Sequence, residues 1–508
     1  MMDTVTIDKS DVQGFITSGY GHTYHAAYLF VQLSDVEQAK SWLTDITPQV
    51  QTAASWRKDA NGNKIKPEYI LNIAFSMAGL QALQLSESVL NSFPLELQEG
   101  ITEAKRGKLL GDVESSSPEH WQIGGTKSPE FHFVLMLHAG LSPEDETSIK
   151  NFTERISQGL DSHGMQIVHL EWGSRRRDDK EHFGFKDGIS QPKIRGINQY
   201  GRDGKPIKVN IVNAGEFILG YKNQYDIHPS VPAVPIEQDP YDILPMLPET
   251  GALHKMYNGD APLKDLGKHG SYIVYRKLKQ DVALFWNFLK AESERLDGHI
   301  NANRMVWLAS KFVGRYPNGD PLVASEKEGN QNGFVFSHHD PDGMKCPFGS
   351  HIRRANPRDV FFPTDPQTSL ETVDKHRILR RGRNFGETLF DLSRLNSVSN
   401  TEQLHILLEL ADDGAERGIH FFGVNASIQM QFEFIQDSWT NNPHFNAQYQ
   451  NKDPLIGDHG TSYQHPSYMH IPYEPVRIRT APLPRFTDVL GGAYLFMPSI
   501  TALRFLAR

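Results

Sequence analysis

The order in which strand-like and helix-like segments alternate is the feature that most restricts the fold of this chain. Apolar runs rich in β-branched and aromatic residues predict four strands in the first third, at 28–33, 69–75, 131–138 and 165–172. Apolar residues at helical spacing predict helices over 35–46, capped by Ser34, and over 144–160, starting at Ser142 and Pro143. The resulting order, β-α-β-β-α-β, is the ferredoxin-like plan.

A second series of segments follows after residue 270. Similar patterns predict three strands and two helices, at 271–278, 417–425 and 493–498 and at 282–296 and 428–439. We therefore predict an α+β protein of two ferredoxin-like halves, antiparallel sheets with helices, covering residues 1–197 and 198–508. The stretch 198–262 is rich in Pro, Gly, Asp and Tyr. We expect an ordered loop region there, because residues 215–221 supply apolar anchors.

The composition excludes several classes of protein. A chain of 508 residues can bury a large core without disulfide bonds or structural metals. Its net charge of −9 argues against a broad electrostatic surface for nucleic acid or anionic membranes. With Cys346 as the only cysteine, an intramolecular disulfide, a cysteine-based zinc site and an iron–sulfur cluster are ruled out.

The sequence also bears on location. It contains no run of about 18 apolar residues, so we predict no membrane span. The first nine residues show neither the basic and apolar segments of a signal peptide nor a twin-arginine leader. We expect a cytoplasmic protein.

One candidate site segment is His-Phe-Gly-Phe-Lys-Asp-Gly-Ile-Ser-Gln-Pro at 182–192. An isolated Asp-Gly pair is usually a simple turn. The functional alternative is that Gly184 and Gly188 hold Asp187 with its carboxylate in a pocket.

A second segment, at 346–358, places His351 after small and apolar residues and before three arginines, Arg353, Arg354 and Arg358. A lone histidine is more often a surface or hydrogen-bonded core residue. In this setting an imidazole can ligate iron while the arginines pair with carboxylates such as haem propionates. We interpret Cys346 as a buried apolar residue, because nothing beside it would activate a thiolate.

A third segment, at 377–387, carries four arginines and ends in Phe385-Gly386. It is either a basic surface turn or a turn that places one arginine over a reactive centre.

Together these segments resemble the dye-decolorizing peroxidase family. The Gly-x-x-Asp-Gly fingerprint lies at 184–188, followed in order by the histidine segment and the arginine segment. Further stretches that fit the family lie at 11–14, 307–315, 431–436 and 491–499. The resemblance extends from about residue 11 to 505 and is to the larger-chain branch of the family.

The resemblance implies a peroxidase with haem b, bound mainly by the C-terminal half. His351 would be the proximal iron ligand and Asp187 the distal carboxylate. The distal arginine of the family lies six residues before the glycine of the Phe-Gly pair, which selects Arg380 rather than Arg381.

Other residues would support the haem. The resemblance assigns them to cofactor binding as a group: Arg353, Asn356, Arg358, Gly188 and Phe385. A proximal carboxylate that accepts a hydrogen bond from His351 is also expected, with Glu433 as a candidate and Asn425 as a weaker one.

The implied activity is oxidation of dyes, phenols or other aromatic donors by hydrogen peroxide through a ferryl intermediate. Asp187 would move the peroxide proton and Arg380 would stabilise the developing negative charge. A carboxylate in this role predicts an optimum on the acid side, at about pH 3–5. The expected partners are hydrogen peroxide and aromatic electron donors, without nucleic acid or membrane, for a monomer or a homo-oligomer.

Three other functions remain open from the sequence. A porphyrin-modifying or chlorite dismutase-like enzyme would not need the Asp187 and Arg380 pair. A haem carrier would need the axial ligand but not Asp187. An RNA-binding ferredoxin-like protein is disfavoured, because the aromatic and basic strand signature is missing and the net charge is negative.

Overall fold

The apolar runs of the sequence, together with the arginine segment, form eight antiparallel strands that close into a barrel. The computed structural model describes residues 6–198, 210–248, 262–323, 332–361, 364–395, 406–460 and 466–508. The barrel strands are β1 (His25–Leu33), β2 (Ile70–Phe75), β3 (Phe133–Ala139), β4 (Met165–Ser174), β5 (Ser271–Gln280), β6 (Leu379–Phe385), β7 (Gly418–Asn425) and β8 (Thr487–Met497). Their order around the barrel is β1-β3-β2-β8-β5-β7-β6-β4.

Two four-stranded sheets make up this barrel, one from each half of the chain. Extensive pairing joins the strands within each sheet, whereas the two seams rest on single residue pairs, Phe75 with Phe496 and Ser174 with Asn384. Helices follow the first and third strands of both sheets, which gives the β-α-β-β-α-β order twice. The prediction of two ferredoxin-like halves is confirmed.

The helices cover the outside of the barrel. They include α1 (Val36–Ile46), α2 (Glu146–Asp161), α3 (Val282–Asp297), α4 (Ala302–Val313), the short α5 (His351–Ala355), α6 (Pro366–Asp374) and α7 (Ile500–Leu506). Short helices lie at Gly14–Thr17, Met77–Ala82, Glu87–Leu90, Leu95–Glu99, Ala104–Leu110 and Phe336–His339. Two consecutive π-helical segments, Ile428–Glu433 and Ile435–Asn441, replace the α-helix predicted over 428–439.

Short irregular elements fill the connections. The 3₁₀ turns are Thr47–Gln49, Glu114–Ser116, Pro118–His120, Ala214–Glu216, Ile236–Gln238, Leu392–Arg394 and Phe445–Ala447. Small two-stranded sheets pair Lys193–Ile194 with Ile211–Val212, Ala233–Pro235 with Leu263–Asp265, and His470–Ile471 with Ile478–Arg479. No helix in the described part of the chain is long and apolar enough to cross a lipid bilayer.

Strand alternation divides the apolar side chains between two layers. Tyr275 and Phe422 point into the barrel, where they pack with Tyr28. Their neighbours Leu278 and Phe421 lie on the outer face of the second sheet. Because side chains one residue apart point to opposite faces, this outer face is available to build a site.

Two helix starts differ from the prediction. The cap of α1 is Asp35, whose carboxylate accepts the Gln38 N–H, while Ser34 donates its hydroxyl to Gly164 O. The cap of α2 is Asp145 rather than Ser142 and Pro143, because its carboxylate accepts the Ser148 N–H. The positive N-terminal end of the helix dipole also stabilises each carboxylate.

The arginine segment is the main correction to the secondary structure. It forms strand β6 and not a turn, and its residues from Leu379 to Phe385 pair with β7 along their whole length. Alternate positions of the strand are buried, which sends Arg381 and Arg383 inward and leaves Arg380 on the other face.

The loop-rich stretch is described over 210–248 and from 262, whereas 199–209 and 249–261 lie outside the described residues. Phe217, Ile218 and Leu219 are completely buried in the apolar core. The apolar anchors predicted for this stretch are confirmed in the described part.

A buried carboxyl in this stretch should make stability depend on pH. Glu216 accepts the Gln224 N–H at 2.8 Å, and burial raises the pKa of its carboxyl to about 7, with the Asp374 charge adding to the rise. The folded chain therefore keeps this proton up to about pH 7, whereas the unfolded chain releases it near pH 4.5. The contribution of Glu216 to the free energy of unfolding is therefore full below the pKa of the unfolded chain. It is lost as the pH rises through the pKa of the folded chain.

We expect Glu216→Gln to gain stability relative to the wild type as the pH rises from 5 to 8, by up to about 3 kcal/mol. Glutamine keeps the acceptor and has no proton to lose. Urea unfolding of both proteins at pH 5, 6, 7 and 8 measures the difference, with the exposed Glu237→Gln as the control. A stability difference that is constant over this range would contradict the prediction.

Candidate active site

A cavity lies between the outer face of the second sheet and helix α5. Its volume is about 290 Å³. Apolar residues of the sheet, among them Leu278, Ile419 and Phe421, form one wall, and Phe432 and Ile435 of the π-helical segments form another. Asp187, Arg380 and His351 all line this cavity, although they come from separate parts of the chain.

His351 opens helix α5, and its ring is fixed by a carboxylate. Nδ1 lies 2.9 Å from Oδ2 of Asp453, which makes Nδ1 the protonated nitrogen and leaves Nε2 for the cavity. Burial lowers the pKa of His351, but the Asp453 charge and hydrogen bond outweigh burial and raise it overall. A carboxylate in this position sets both the tautomer and the orientation of the imidazole.

Asp453 is itself held rigidly. Its side chain is fully buried, and Oδ1 accepts the N–H groups of Leu455 and Ile456 at 2.9 and 3.1 Å. Burial raises its pKa, but His351 and these donors outweigh burial and lower it overall. The carboxylate therefore stays ionised beside the imidazole.

The two sequence candidates for this carboxylate partner are wrong. Glu433 instead accepts hydrogen bonds from Arg106 Nη1 at 2.5 Å and from the Tyr494 hydroxyl at 2.7 Å. Asn425 donates its amide to the backbone oxygens of Tyr272 and Gly423. Asp453 lies 102 residues after His351 in a segment without a recognisable motif, so no local spacing could reveal it.

The loop that carries Asp187 is a narrow hairpin. The Asp187 N–H donates to Asp179 O at 2.9 Å, and Lys180 and Lys186 form a bridge between its two sides. Gly184 and Gly188 have φ values of 101° and 71°, which side chains disfavour. The Asp187 side chain is 46% exposed and borders the cavity.

Arg380 is held against this loop at three points. Nη1 lies 3.4 Å from Asp187 Oδ1, Nη2 donates to Ile189 O at 2.8 Å, and the backbone N–H donates to Gln191 Oε1 at 3.0 Å. Arg381 has the opposite orientation and donates to the backbone oxygens of Phe15 and Ile16. Of these two arginines, only Arg380 borders the cavity.

The other sequence-predicted residues divide into two groups. Asn356 and Arg358 line the cavity, and the buried amide oxygen of Asn356 has no hydrogen-bond partner among the described residues. Gly188, Arg353 and Phe385 do not line it. Arg353 is buried elsewhere, paired with Asp340 at 3.1 Å and bonded to Cys346 O, and Phe385 packs against His420 near the other end of β6.

Cys346 is buried as predicted, and burial raises the pKa of its thiol to about 11.

One end of the cavity carries positive charge without a matching carboxylate. Among the described residues, neither Arg315 nor Arg358 has a carboxylate within ion-pair distance, and Arg358 donates instead to Asn332 O, Phe334 O and the Ser190 hydroxyl. Burial, together with the charges of neighbouring arginines, lowers the pKa of Arg358 to about 9 and that of Arg315 to about 10. Buried cations of this kind favour an anionic ligand group.

A cavity with apolar walls, the imidazole of His351 held by a carboxylate, and an uncompensated cationic end fits haem, which has a flat apolar ring, a metal and two carboxylates. The sequence did not single out Arg315, Asp453, His376 or Glu181, which also contribute to the site. Asp453 belongs to a segment that only the fold brings to the cavity, whereas Glu181, Arg315 and His376 lie in or directly beside the stretches 182–192, 307–315 and 377–387.

Comparisons with known proteins agree with this geometry. A family model described as the DyP dimeric alpha+beta barrel domain matches residues 11–176. The multifunctional dye peroxidase DyP2 of an Amycolatopsis species is 32% identical over 498 residues, which covers 94% of this chain and 91% of that protein. The chain belongs to the dye-decolorizing peroxidase family. A dye-decolorizing peroxidase of Exidia glandulosa is 25% identical, covering 98% of this chain and 87% of the relative.

Solved structures show the same fold. A fungal DyP-type peroxidase from Auricularia auricula-judae superposes with a TM-score of 0.71 at 24% identity, covering 99% of this chain and 100% of that chain. A DyP-type peroxidase from an Anabaena species gives a TM-score of 0.68 at 23% identity, covering 98% and 94%. The protein is therefore a peroxidase enzyme of this family, and the recognition made from its motifs is confirmed.

Proposed function

We propose that this dye-decolorizing peroxidase binds haem b in the cavity through His351, with Asp187 and Arg380 as the distal pair, and uses hydrogen peroxide to oxidise dyes, phenols or other aromatic donors. The observation that carries the proposal is that these three side chains line one cavity. The bound haem would supply an iron centre that coordinates peroxide and passes oxidising equivalents to the donor.

On the proximal side, His351 provides the metal ligand and Asp453 tunes it. The ionised Asp453 accepts the Nδ1 proton and so increases the electron density on Nε2. A more strongly donating imidazole favours cleavage of the oxygen–oxygen bond. Arg315 and Arg358 are placed to pair with the propionate carboxylates.

On the distal side, the two charged groups divide the work. Asp187 Oδ1 faces Arg380, whereas Oδ2 has no hydrogen-bond partner among the described residues and is open to a peroxide proton. The carboxylate can take this proton from one oxygen of hydrogen peroxide and return it to the other oxygen, which departs as water. The Arg380 guanidinium stays protonated and stabilises the negative charge that develops as the bond breaks.

The function is tested with Asp187→Asn. The amide keeps the size of the side chain but cannot accept a proton, so we expect the peroxide-driven change of the Soret band to slow by about 10²–10⁴. Stopped-flow spectra from pH 3 to 8 measure it. Oxidation of an aromatic donor by the wild type should be fastest on the acid side, at about pH 3–5, because this oxidation also consumes protons. In the stopped-flow profile, the variant should lose the acid-side limb.

The exposed Asp342→Asn, which lies outside the cavity, is the matched control and should behave as the wild type. If Asp187→Asn shows the rate and the pH profile of the wild type, Asp187 is not the proton carrier. If the wild type has a Soret band but no peroxide reaction, a haem-binding or porphyrin-modifying role on this fold replaces the proposal.

A further inference from the structure

The hairpin that carries Asp187 is built around a second carboxylate, Glu181. Glu181 Oε1 accepts the Phe185 N–H at 2.8 Å, and Oε2 accepts the Phe183 N–H at 2.8 Å. The backbone reinforces this turn, with Glu181 N donating to Phe185 O at 2.9 Å and Gly184 N to Glu181 O at 3.0 Å. One side chain therefore binds two amides of the turn that it begins.

Glu181 is also anchored to the barrel. The Gln280 amide, at the end of β5, donates to Oε2 at 2.5 Å. Glu181 borders the cavity together with Gln280, although neither takes part in the distal chemistry described above. The carboxylate therefore fixes the hairpin to the rigid sheet that forms one wall of the cavity.

The Asp187 side chain has no comparable support of its own. Its carboxylate is almost half exposed, and its contact with Arg380 is long, at 3.4 Å. Its place depends on the backbone, through the N–H bond to Asp179 O. A residue that holds the hairpin therefore controls where the Asp187 carboxylate lies.

The electrostatics of the two carboxyls are coupled. Burial raises the pKa of Glu181 to about 7, the three donors oppose that rise, and the Asp187 charge adds to it. Above this pKa the three hydrogen bonds, rather than water, stabilise the charge of the enclosed Glu181 carboxylate.

We propose that Glu181 is a positioning residue for Asp187, whose carboxylate ties the Phe183 and Phe185 amides to the barrel and so keeps Asp187 beside Arg380. This inference rests on the proposed function of Asp187. Glu181 does not touch the reacting atoms and acts through the hairpin.

The experiment is a double-mutant cycle of Glu181→Gln and Asp187→Asn in the haem-loaded enzyme. Glutamine offers one acceptor oxygen in place of two, so it cannot hold both amides. Above pH 7, where Glu181 is ionised, we expect Glu181→Gln to slow the peroxide reaction by up to about 100-fold, the scale of a displaced reacting group. On the Asp187→Asn background it should cause no further loss. The exposed Glu387→Gln is the matched control.

A second readout does not depend on activity. Hydrogen exchange of the amides in residues 181–188 should be faster in Glu181→Gln than in the wild type and in Glu387→Gln. Glu181→Asp keeps the charge but is one methylene shorter, so it should also slow the peroxide reaction and speed the exchange. It serves as the test if Glu181→Gln does not fold.

The outcomes separate the two proposals. A wild-type rate in both Glu181 variants, while Asp187→Asn is slow, overturns the inference alone. A further loss in the double variant also overturns it, because Glu181 would then act independently of Asp187. A wild-type rate in Asp187→Asn overturns the proposed function and the inference together.

Discussion

Replacing His351 with alanine is expected to abolish the normal Soret band of the haem-loaded protein. His351 Nε2 is the nitrogen left for a metal once Asp453 binds Nδ1. Alanine removes the ligand, and no cysteine can substitute, because Cys346 is buried outside the cavity. Loss of the group that hydrogen-bonds to a metal ligand can lower metal affinity by up to about 100-fold, so loss of the ligand itself should lower it by more. Haem titration followed by absorbance measures the change.

His376 provides the matched control. It is the other histidine among the described residues that line the cavity, and its Nδ1 is bonded to Met430 O while its ring stacks on Phe434 at 3.9 Å. His376→Ala should retain the axial ligand and its spectrum. An unchanged spectrum in His351→Ala together with a lost one in His376→Ala would assign the ligand to His376.

Hydrophobic periodicity was sufficient to predict most of the fold. Strands β1, β2 and β3 are largely apolar, and the boundaries of all four strands of the first half are within a few residues of those predicted. Strand β6 was missed because Arg and Gly occupy its centre, and both contradict the usual composition of a strand. The barrel accepts Arg381 and Arg383 because backbone oxygens between residues 15 and 23 bind their guanidinium groups.

The sequence singled out residues of the cavity that lie in a motif and missed Asp453, which only the fold brings to His351. Asp187, Arg380 and His351 each lie in a short recognisable segment. Asp453 reaches His351 across 102 residues, and spacing contains no information at that range.

The geometry of helix α5 explains why Arg353 lies outside the cavity. At about 100° per residue, Arg353 lies roughly 200° around helix α5 from His351, on the side that faces Asp340. Ala355, just over one turn after His351, returns to the cavity. Proximity in sequence to a ligand thus does not place a residue at the ligand.

Arg380→Leu is expected to slow the reaction with hydrogen peroxide by about 10²–10³, the cost of one preorganised electrostatic donor. Leucine keeps much of the side-chain volume but removes the charge that faces Asp187 and the cavity. Haem binding should remain, because His351 and the cationic end with Arg315 and Arg358 are untouched. Stopped-flow absorbance with increasing peroxide gives the second-order rate constant.

The neighbouring arginine makes the control unusually close. Arg381 is buried, faces the barrel interior and binds the Phe15 and Ile16 oxygens. Arg381→Leu should leave these oxygens unpaired and lower the free energy of unfolding by about 1–3 kcal/mol, while the folded enzyme reacts with peroxide at the normal rate. If Arg381→Leu reacted slowly with peroxide and Arg380→Leu reacted normally, the distal role would belong to Arg381, and the assignment of this role to Arg380 would be wrong. The two variants therefore test whether the face of strand β6 to which an arginine points decides its role. The two residues are adjacent and of the same type, and their side chains point to opposite faces.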